Sequence, residues 1–504
     1  MKDLRASTLA AVPPVITAIV GGEPISPDGA NELAVINPDD GKALTRLAEA
    51  DAATVDRAVR LARAAFDEGV WSRASILQRQ EVLYNTAALV RENAEELAAL
   101  DSLSTGLLYQ ATYGQAGVAA AGWFEYFAGL IGSTGEELYR QLPDTRTFVT
   151  REPVGVAGLF TPWNIPIMGA ALKLSAALAM GNSCVLKPSE QSPLGATRLV
   201  ELLFEAGLPK DVLHLVNGAG AVTGAALASH PQVDLVSFTG GEHAGRIIAT
   251  ETAKRFAKTT MELGGKSANI IFSDADLERA LDGSVTAIYA NNGQACLAGS
   301  RILVHKKIAD RFIADFVERS QKVRLGRPFD AAAEVGPQVT RTHMERVLSF
   351  ADVVREDGGE ILTGGRRAES LADGFYIEPT VALAQSNSAR VCQEEIFGPF
   401  ATFLTFDSDE EAITMANDTR FGLAAYLWTD NLQRGLGVSD RLRSGYVLVN
   451  TPMVRERNAP FGGFGHSGID REGGRWSLDF YSESKTTVVP FGDAPVPTMG
   501  KHND

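Results

Sequence analysis

Between residues 154 and 264 the sequence alternates short apolar runs with longer stretches of mixed polarity. The apolar runs are residues 154–160, 183–186, 212–216, 233–238 and 259–263. Apolar positions recur at helical spacing in the stretches between them. Short apolar strands separated by helices are typical of a parallel sheet that is covered on both faces. Ligands bind such sheets beyond the carboxyl ends of the strands, so the residues that follow these runs are the first candidates for a site.

The segments on either side extend this α/β prediction. Residues 1 to about 14 are expected to form a loose arm, and Asp51 is placed to cap the helix that follows it. From about residue 266 to 464 the pattern indicates a second α/β domain. Residues 482–490 alternate in polarity and predict an edge strand. Because an exposed edge needs a partner, a homo-oligomer is expected.

The composition describes a globular protein with an acidic balance. Of its 504 residues 45% are hydrophobic and 22% are charged, and the net charge is −15. This charge does not suit nucleic acid or an anionic lipid surface as a partner. Three cysteines are too few for a disulfide framework and indicate a reducing compartment. We recognise no signal peptide, membrane span or metal-ligand spacing, and therefore expect a cytoplasmic enzyme without a metal site.

Cys296 follows a predicted helix and lies in a loop. The helix is expected to end at Asn292–Gly293, because glycine accepts the left-handed conformation that ends helices. The small residues Ala295 and Ala298 lie beside Cys296 in the sequence. A lone cysteine is more often a small buried hydrophobe. The room around this thiol favours a reactive side chain that is presented to a ligand.

Two further polar residues complete the set that acyl chemistry on a thiol requires. Glu262 ends the last apolar run, and Asn164 lies in a turn between Pro162 and Pro166. Such a site needs a nucleophile, a base and an oxyanion donor. We therefore predict that Cys296, Glu262 and Asn164 are catalytic.

Glycine-containing turns after two of the strands indicate a dinucleotide site. Residues 217–220 and 239–241 each follow a strand and precede a helix. Glycine there lets a phosphate approach, and the helix N-terminus favours an anion. The usual G-x-G-x-x-G pattern is missing. From these residues alone, dinucleotide binding and a purely structural role of the turns both stay open.

Seven motifs resemble those of the aldehyde dehydrogenase superfamily in order and spacing, from about Val35 to about Val489. They are PWN at 162–164, KPSE at 187–190, FTGG at 238–241, MELGGKS at 261–267, NNGQAC at 291–296, EEIFGP at 394–399 and PFGGFGHSG at 460–468. The resemblance implies a Rossmann-like dinucleotide-binding domain over residues 1–130 and 153–264 and a catalytic domain over residues 265–470. It also implies a small β module for oligomerisation over residues 131–152 and 471–504, in a dimer or a tetramer.

The resemblance further implies NAD as the cofactor. The family positions that contact it correspond to Thr161, Pro162, Trp163, Lys187, Ser189, Glu190, Gly220, Phe238, Thr239, Gly240, Gly241, Leu263, Glu395 and Phe397. Glu190 can accept hydrogen bonds from a free ribose 2′-hydroxyl but repels a 2′-phosphate, which favours NAD and leaves NADP as the alternative. Gly241 replaces the serine that the family usually has, so one hydroxyl contact to phosphate is lost.

The activity implied is oxidation of an aldehyde to a carboxylic acid. The Cys296 thiolate adds to the aldehyde, the Asn164 amide holds the oxyanion, and hydride passes to the nicotinamide. Glu262 activates the water that hydrolyses the resulting thioester. This glutamate favours a free acid as product over the CoA thioester that another branch of the superfamily forms. Lys173 matches a family lysine near the site and receives a secondary catalytic role.

The substrate is expected to be a neutral aromatic or medium-chain aldehyde. By resemblance, the substrate tunnel is lined by Ile165, Met168, Leu172, Ala295, Leu297, Arg455 and Phe461. Most of these side chains are apolar. Arg455 supports an alternative, a carboxylate-bearing semialdehyde, because the C-terminal stretch is similar to the muconic-semialdehyde dehydrogenase group. The second arginine of that group has no counterpart in residues 114–124.

Two alternatives belong to other classes of protein. A catalytically inactive NAD-binding relative would keep the fold, yet Cys296, Glu262 and Asn164 are all present. A cysteine hydrolase would work without a cofactor, but the motifs that contain Cys296 and Glu262 offer no histidine to pair with the thiol.

Overall fold

The computed structural model describes residues 2–491 and 496–501 and has two large sheets and two small ones. The larger sheet has eight strands, which lie in the spatial order Gly468–Ile469, Lys258–Glu262, Leu235–Thr239, Val156–Phe160, Ser183–Lys187, Leu213–Leu215, Ala18–Val20 and Glu23–Ile25. Its five central strands are parallel to one another. They coincide with the five apolar runs, so the predicted parallel sheet is confirmed.

Helices pack on both faces of this sheet. They are Ala52–Glu68, Ile76–Glu92, Ala94–Thr105, Tyr109–Tyr113, Ala121–Ser133, Pro166–Ala179, Pro193–Glu205, Ala225–Ser229 and Glu242–Ala253, with a 3-10 turn at Lys210–Val212 and π turns at Gly114–Ala120 and Gly220–Gly224. Neighbouring strand residues enter different cores: Val185 packs in the core that contains Val59, and Leu186 in the core that contains Leu174. The Asp51 side chain accepts the Thr54 N–H at 2.8 Å, so the predicted cap is confirmed.

The N-terminal segment is a helix, so the prediction of a loose arm is wrong. The helix spans Lys2–Ala11 and packs against Ala94–Thr105. Leu4 and Thr8 lie four residues apart on its inner face, and Thr8 is buried. This tertiary contact stabilises a segment that the sequence pattern alone did not mark as helical.

The second large sheet carries the helix that leads to Cys296. Its seven strands lie in the order Glu360–Thr363, Thr380–Leu383, Phe400–Phe406, Arg301–His305, Ala268–Ile271, Ala424–Trp428 and Tyr446–Val449. All neighbouring strands are parallel except the first pair. The helices are Leu277–Tyr289, Lys306–Lys322, Arg341–Glu356, Arg390–Gln393, Asp409–Asn417 and Leu432–Ser439, with 3-10 turns at Ala290–Gly293, Glu369–Leu371 and Gly465–Ser467. The predicted second α/β unit is therefore present.

The two small sheets have three strands each. One contains Val15–Ile16, Ala43–Ala48 and Glu32–Ile36; the other contains Ser482–Pro490, Thr145–Pro153 and Glu137–Tyr139. The helix Gly474–Phe480 leads into Ser482–Pro490, which pairs antiparallel with Thr145–Pro153. The predicted edge strand is thus confirmed, with Val488 and Val489 exposed on it.

Two features are missing from the described residues. No helix among them is both long and apolar enough to cross a membrane. Within the same residues, no three His, Cys, Asp or Glu side chains form a group that could hold a metal ion.

One close contact in the second sheet's core gives a test of the fold. A Cβ at Gly283 would lie 2.0 Å from the ring of the buried Trp428, whose N–H bonds to Asn269 at 2.8 Å. We expect Gly283→Ala to reduce the free energy of unfolding by about 1–3 kcal/mol through overpacking, seen as a lower thermal midpoint. The control is Gly437→Ala, also in a helix, where no described atom lies within 4 Å of the new Cβ. That change should stabilise slightly. Equal midpoints for the two variants would contradict the packing described.

Candidate active site

The predicted polar residues gather where the strands of the larger sheet end. Glu262, Thr239 and Lys187 are each the last residue of a strand, and Thr161 directly follows another. The strand register places Thr239 beside Glu262, and Lys187 beside Phe160. The carboxyl edge of one sheet therefore forms the floor of a single crevice, as expected for a parallel sheet.

The loop that carries Cys296 begins with three successive left-handed residues. Their φ angles are 56° at Asn291, 59° at Asn292 and 74° at Gly293. The preceding helix Leu277–Tyr289 therefore ends earlier than Asn292–Gly293, where the sequence predicted its end. Asparagine tolerates this conformation better than most residues do, but two in succession need outside support.

The Asn292 side chain supplies much of that support. Its amide donates to the carbonyls of Gly106 and Pro337 at 3.0 Å each, and its oxygen accepts the Gly336 N–H at 2.7 Å. Gln338 in turn donates to the Asn292 carbonyl at 3.0 Å. Asn292 is buried, so these bonds fix the loop against elements that are distant in sequence.

Asn164 is bonded directly to the same loop. Its side-chain amide donates to the Gln294 carbonyl at 2.9 Å, and the Asn291 amide donates to the carbonyls of Asn164 and Gln294 at 3.0 Å each. Gln115 holds the Asn291 oxygen at 3.1 Å. An amide has two N–H bonds, and among the described residues only one of Asn164's is engaged, so the other is left for a ligand near Cys296.

Burial, and after it two buried carboxyl groups, set the pKa of the thiol. Burial, together with Glu262 and Glu395, raises the pKa of Cys296 to about 12, while the nearby Arg455 acts in the opposite direction. Burial and then Glu472 raise the pKa of Glu262 well above its usual range. Neither carboxyl oxygen of Glu262 has a hydrogen-bond partner in the part of the chain described, which leaves both free for a water or a substrate.

Lys173 belongs to a buried polar cluster beside Glu262. Its ammonium donates to Glu472 at 2.6 Å and to Ser237 at 2.7 Å, and Ser237 also donates to Glu472 at 3.1 Å. Lys173 and Glu472 are both almost fully buried. Their opposite charges act on Glu262 in opposite directions, since Glu472 raises its pKa and Lys173 lowers it.

Lys187 and Glu190 lie together at the end of their strand. The Lys187 ammonium donates to the Pro188 carbonyl at 3.0 Å and to Glu190 at 3.4 Å. Burial lowers the pKa of Lys187. Ser189, between them, accepts the Gln191 N–H at 3.3 Å. The pair offers one donor and one acceptor side by side, which suits the two hydroxyls of a ribose.

The glycine turns leave space for a phosphate. No described atom lies within 4 Å of a Cβ built at Gly220 or Gly241, and Gly241 is the N-cap of Glu242–Ala253. The nearby Thr161 hydroxyl is buried and lacks a partner among the described residues. Open space, a helix N-terminus and a free hydroxyl fit the phosphate side of a dinucleotide.

Two apolar predicted residues shape the same turns by packing. Gly240 lies against the Phe238 ring, and Gly245 against the Leu263 side chain; a Cβ at either glycine would overlap its neighbour. The Leu263 N–H donates to the Ser467 carbonyl at 3.0 Å. Both glycines are therefore required for close packing.

Glu395 reaches across from the second sheet to the Cys296 side of the crevice. Its carboxylate accepts the Gly265 N–H at 3.1 Å, and a Cβ on Gly264 would overlap it. Burial raises the pKa of Glu395 to about 7. Glu395 is therefore seated on the Gly264–Gly265 turn, close enough to the thiol to influence its pKa.

Phe397 is held in a left-handed conformation by two side chains of the helix Arg341–Glu356. Its φ is 62°, and His343 Nε2 lies 2.7 Å from its carbonyl oxygen, so this nitrogen carries the proton. Arg346 donates to the two preceding carbonyls at 2.8 and 2.5 Å. Burial lowers the pKa of His343 to about 4 and keeps the ring neutral. The Trp163 ring lies 5.3 Å from that of Phe397 and 5.5 Å from that of His343.

Two of the predicted substrate residues, Arg455 and Phe461, form an aromatic and cationic wall together with Trp123. The Arg455 guanidinium lies 4.1 Å from the Phe461 ring centre and 5.2 Å from that of Trp123. Its Nε and Nη2 atoms are buried without a partner in the described chain. Leu172 and Phe461 are buried, whereas the other apolar members are half-buried: Ile165, Met168, Ala295 and Leu297.

Sequence reasoning missed five residues that complete the site. They are Gln115, Trp123, His343, Arg346 and Glu472. Only Trp123 had a usable signal, the aromatic run at residues 123–127. The others contact the site across 49 to 299 positions of sequence. A buried lysine at position 173 implies a counter-charge but does not identify it.

The His343 contact generates a prediction about cofactor binding. His343→Leu removes the donor to Phe397, and a net hydrogen bond of about 1 kcal/mol corresponds to a roughly fivefold rise in KM for NAD. His343→Gln can donate in the same place and should restore most of the affinity. His305→Leu serves as control, because it removes a helix cap and a ring contact with Phe406 but no bond to Phe397. Unchanged KM for NAD in His343→Leu would contradict this role.

The comparisons with known proteins agree on one family. The model of the aldehyde dehydrogenase family matches residues 25–487. The betaine aldehyde dehydrogenase of Bacillus subtilis is 40% identical over 472 residues, 93% of this chain and 96% of that protein. The hydroxyisobutyraldehyde dehydrogenase of Mycolicibacterium austroafricanum is 37% identical over 491 residues, 97% of this chain and 96% of that protein.

A solved structure extends the likeness to the fold and the cofactor. The betaine aldehyde dehydrogenase of Staphylococcus aureus in complex with NAD+ has a TM-score of 0.96 and 36% identity, and the match covers 99% of this chain and 100% of that one. The expectations of an α/β fold with a Rossmann-like domain and of NAD as cofactor are confirmed. The chain belongs to the aldehyde dehydrogenase family and is an NAD-dependent aldehyde dehydrogenase.

Proposed function

We propose that this enzyme oxidises its aldehyde to a free carboxylic acid through a thioester on Cys296. The observation that carries the proposal is that Asn164 is hydrogen-bonded to the loop that contains Cys296. The Asn164 amide and the Cys296 loop meet at one carbonyl, that of Gln294. Beside them, Glu262 presents two unpartnered oxygens within the described chain. The nucleophile and the oxyanion donor are thus held by one hydrogen-bonded unit, and the base lies close enough to act on the pKa of the thiol.

In the first step the Cys296 thiolate adds to the aldehyde carbon. The remaining N–H of Asn164 and the Cys296 backbone N–H receive the negative charge that develops on oxygen. Burial and the carboxyl groups of Glu262 and Glu395 raise the pKa of the thiol to about 12, so the attack requires that the thiol first lose its proton to a base. NAD, when bound, accepts the hydride that leaves the former aldehyde carbon. A thioester on Cys296 remains.

In the second step Glu262 removes a proton from water, and the water oxygen attacks the thioester. The C–S bond breaks, the acid leaves, and Cys296 is regenerated. We propose that Lys173 acts through charge: bonded to Glu472, it offsets the effect of that carboxylate on Glu262. Because Glu262 would activate water, we expect a free acid as the product.

The two steps can be separated with Glu262→Gln. We expect a burst of at most one NADH per Cys296, followed by hydrolysis slower by about 100- to 10,000-fold, because the general base is lost. Cys296→Ala should give no burst. Cys184→Ala, which removes a cysteine buried in a strand, should keep it. Wild-type turnover in Glu262→Gln would overturn the assignment of the base.

Thioester hydrolysis should depend on pH differently in the wild type and in Glu262→Gln. Burial raises the pKa of Glu262 well above its usual range, so the carboxyl stays protonated to higher pH than an exposed glutamate does, and in that form it cannot act as a base. Thioester hydrolysis by the wild type should therefore rise with pH through that raised pKa. The residual hydrolysis by Glu262→Gln should lack this rise. Single-turnover measurements across the pH range of stability test both expectations.

The lining supports two substrate classes. The apolar side chains Leu172, Met168 and Phe461 suit a neutral aromatic or medium-chain aldehyde. The unpartnered Arg455 nitrogens favour the second candidate, an aldehyde that carries a carboxylate. A hydrogen bond to a charged group contributes about 1.5–3 kcal/mol, which corresponds to roughly 10- to 100-fold.

Matched aldehydes can decide between these classes. We would compare kcat/KM for benzaldehyde with that for 4-carboxybenzaldehyde, and for butanal with that for succinic semialdehyde. Higher values for both neutral members support the first candidate. A preference for both carboxylates of about tenfold or more would reverse the ranking and assign the guanidinium to substrate binding.

We also propose that the protein is a cytoplasmic homo-oligomer, either a dimer or a tetramer. The support is the strand Ser482–Pro490, which lies at the edge of its small sheet with nearly all of its side chains exposed. Such an edge requires cover by another chain.

A further inference from the structure

We propose that Arg455 excludes aldehydes that carry a quaternary ammonium group, because its guanidinium occupies the ring faces that such a cation would need. The inference rests on the proposed function, aldehyde oxidation at Cys296. It predicts that this chain differs in substrate choice from relatives that are named for betaine aldehyde. The trimethylammonium group of betaine aldehyde is cationic at every pH.

A trimethylammonium group is recognised mainly through aromatic faces. Proteins bind it in aromatic cages, within about 6 Å of the ring centres. The rings available on this wall are Trp123 and Phe461, and Tyr446 lies 5.9 Å from Phe461. These rings could form one side of such a cage if their faces were open.

The protein's own cations already lie over two of these rings, Trp123 and Phe461. Arg455 lies 4.1 Å from the Phe461 centre and 5.2 Å from that of Trp123, and Arg457 lies 5.7 Å from Trp123. Arg457 also donates to the Val118 carbonyl at 3.3 Å. A substrate cation would have to displace a guanidinium that is held by two rings.

The charge of Arg455 adds to this steric exclusion. The described residues give it no carboxylate within salt-bridge distance, and its Nε and Nη2 atoms are buried without acceptors. It is close enough to Cys296 and Glu262 to affect the pKa of both. A cationic aldehyde that reaches the thiol therefore passes beside a like charge, whereas a neutral aldehyde of equal shape does not.

A pair of isosteric substrates isolates this effect. Betaine aldehyde and 3,3-dimethylbutanal differ only in the central atom, N⁺ or C. We would measure the ratio of their kcat/KM values, which cancels any general loss of activity. In the wild type the neutral isostere should be preferred by at least about tenfold. Arg455→Ala should shift the ratio toward betaine aldehyde by at least about tenfold, since both charge and ring cover are removed.

Further variants separate the causes. Arg455→Lys keeps the charge and should leave betaine aldehyde disfavoured, whereas Arg455→Gln should resemble Arg455→Ala. The control Arg475→Ala removes an exposed guanidinium that also lies over a tryptophan, 5.3 Å from the Trp476 centre, and should leave the ratio unchanged. Choline, tested as a competitive inhibitor, should inhibit Arg455→Ala more strongly than the wild type and reports on binding without turnover.

The outcomes distinguish a failure of the proposed exclusion by Arg455 from a failure of the proposed aldehyde oxidation. Oxidation of 3,3-dimethylbutanal with an unchanged ratio and no gain of choline inhibition in both Arg455→Ala and Arg455→Gln would overturn the inference. A wild-type preference for betaine aldehyde would do the same. Failure of every aldehyde to yield NADH would instead refute the proposed function.

Discussion

The left-handed turn at Asn291, Asn292 and Gly293 is the constraint on which the site depends. It follows the helix Leu277–Tyr289 and leads to Cys296, which lies close enough to Glu262 for that carboxyl group to raise its pKa. Gly293 cannot be replaced without displacement, because its Cβ would lie 2.2–2.5 Å from the backbone at Gly398 and Pro399. The loop of the nucleophile and the loop of Phe397 are therefore packed against each other, backbone to backbone.

The strain of this turn is offset by side-chain amides. Asn292 bonds to three backbone groups, and Asn291 joins the turn to the backbone of Asn164. Phe397, a further left-handed residue of the site, is held by a side-chain hydrogen bond from His343. Strained backbone that is fixed by hydrogen bonds from several elements is typical of preorganised sites. The geometry of the oxyanion donor thus depends on residues that never touch a substrate.

Buried charge is the second determinant. Glu262, Glu472 and Lys173 are buried close together, and the pKa of Glu262 depends on the charges of the other two. The site can hold an unpaired carboxyl because the Lys173 ammonium compensates part of the negative charge. The Arg455 guanidinium, among the predicted substrate residues, also lowers the pKa of Glu262 and of Cys296. Substrate selection and the reactivity of the thiol are in this sense electrostatically linked.

The sequence predicted much of this arrangement, and its failures have physical causes. The five parallel strands and the residues at their ends could be predicted because apolar runs and strand ends are local signals. The helix before Cys296 was predicted to end too late, since tertiary bonds, not glycine alone, stabilise Asn291 and Asn292 in the left-handed region. Residues 2–11 form a helix through packing that the pattern does not reveal. His343 and Glu472 could not be found, because their partners are remote in sequence. The domain boundaries and the roles of individual site residues stay predictions.

Mass spectrometry can identify the residue that becomes acylated during the reaction. Glu262→Gln would be mixed with NAD and benzaldehyde, quenched in acid, digested and analysed by mass spectrometry. The account predicts one benzoyl group per chain, on the peptide that contains Cys296, and none when NAD is omitted. NADH formation without an acyl group on Cys296, or with one on another residue, would contradict it.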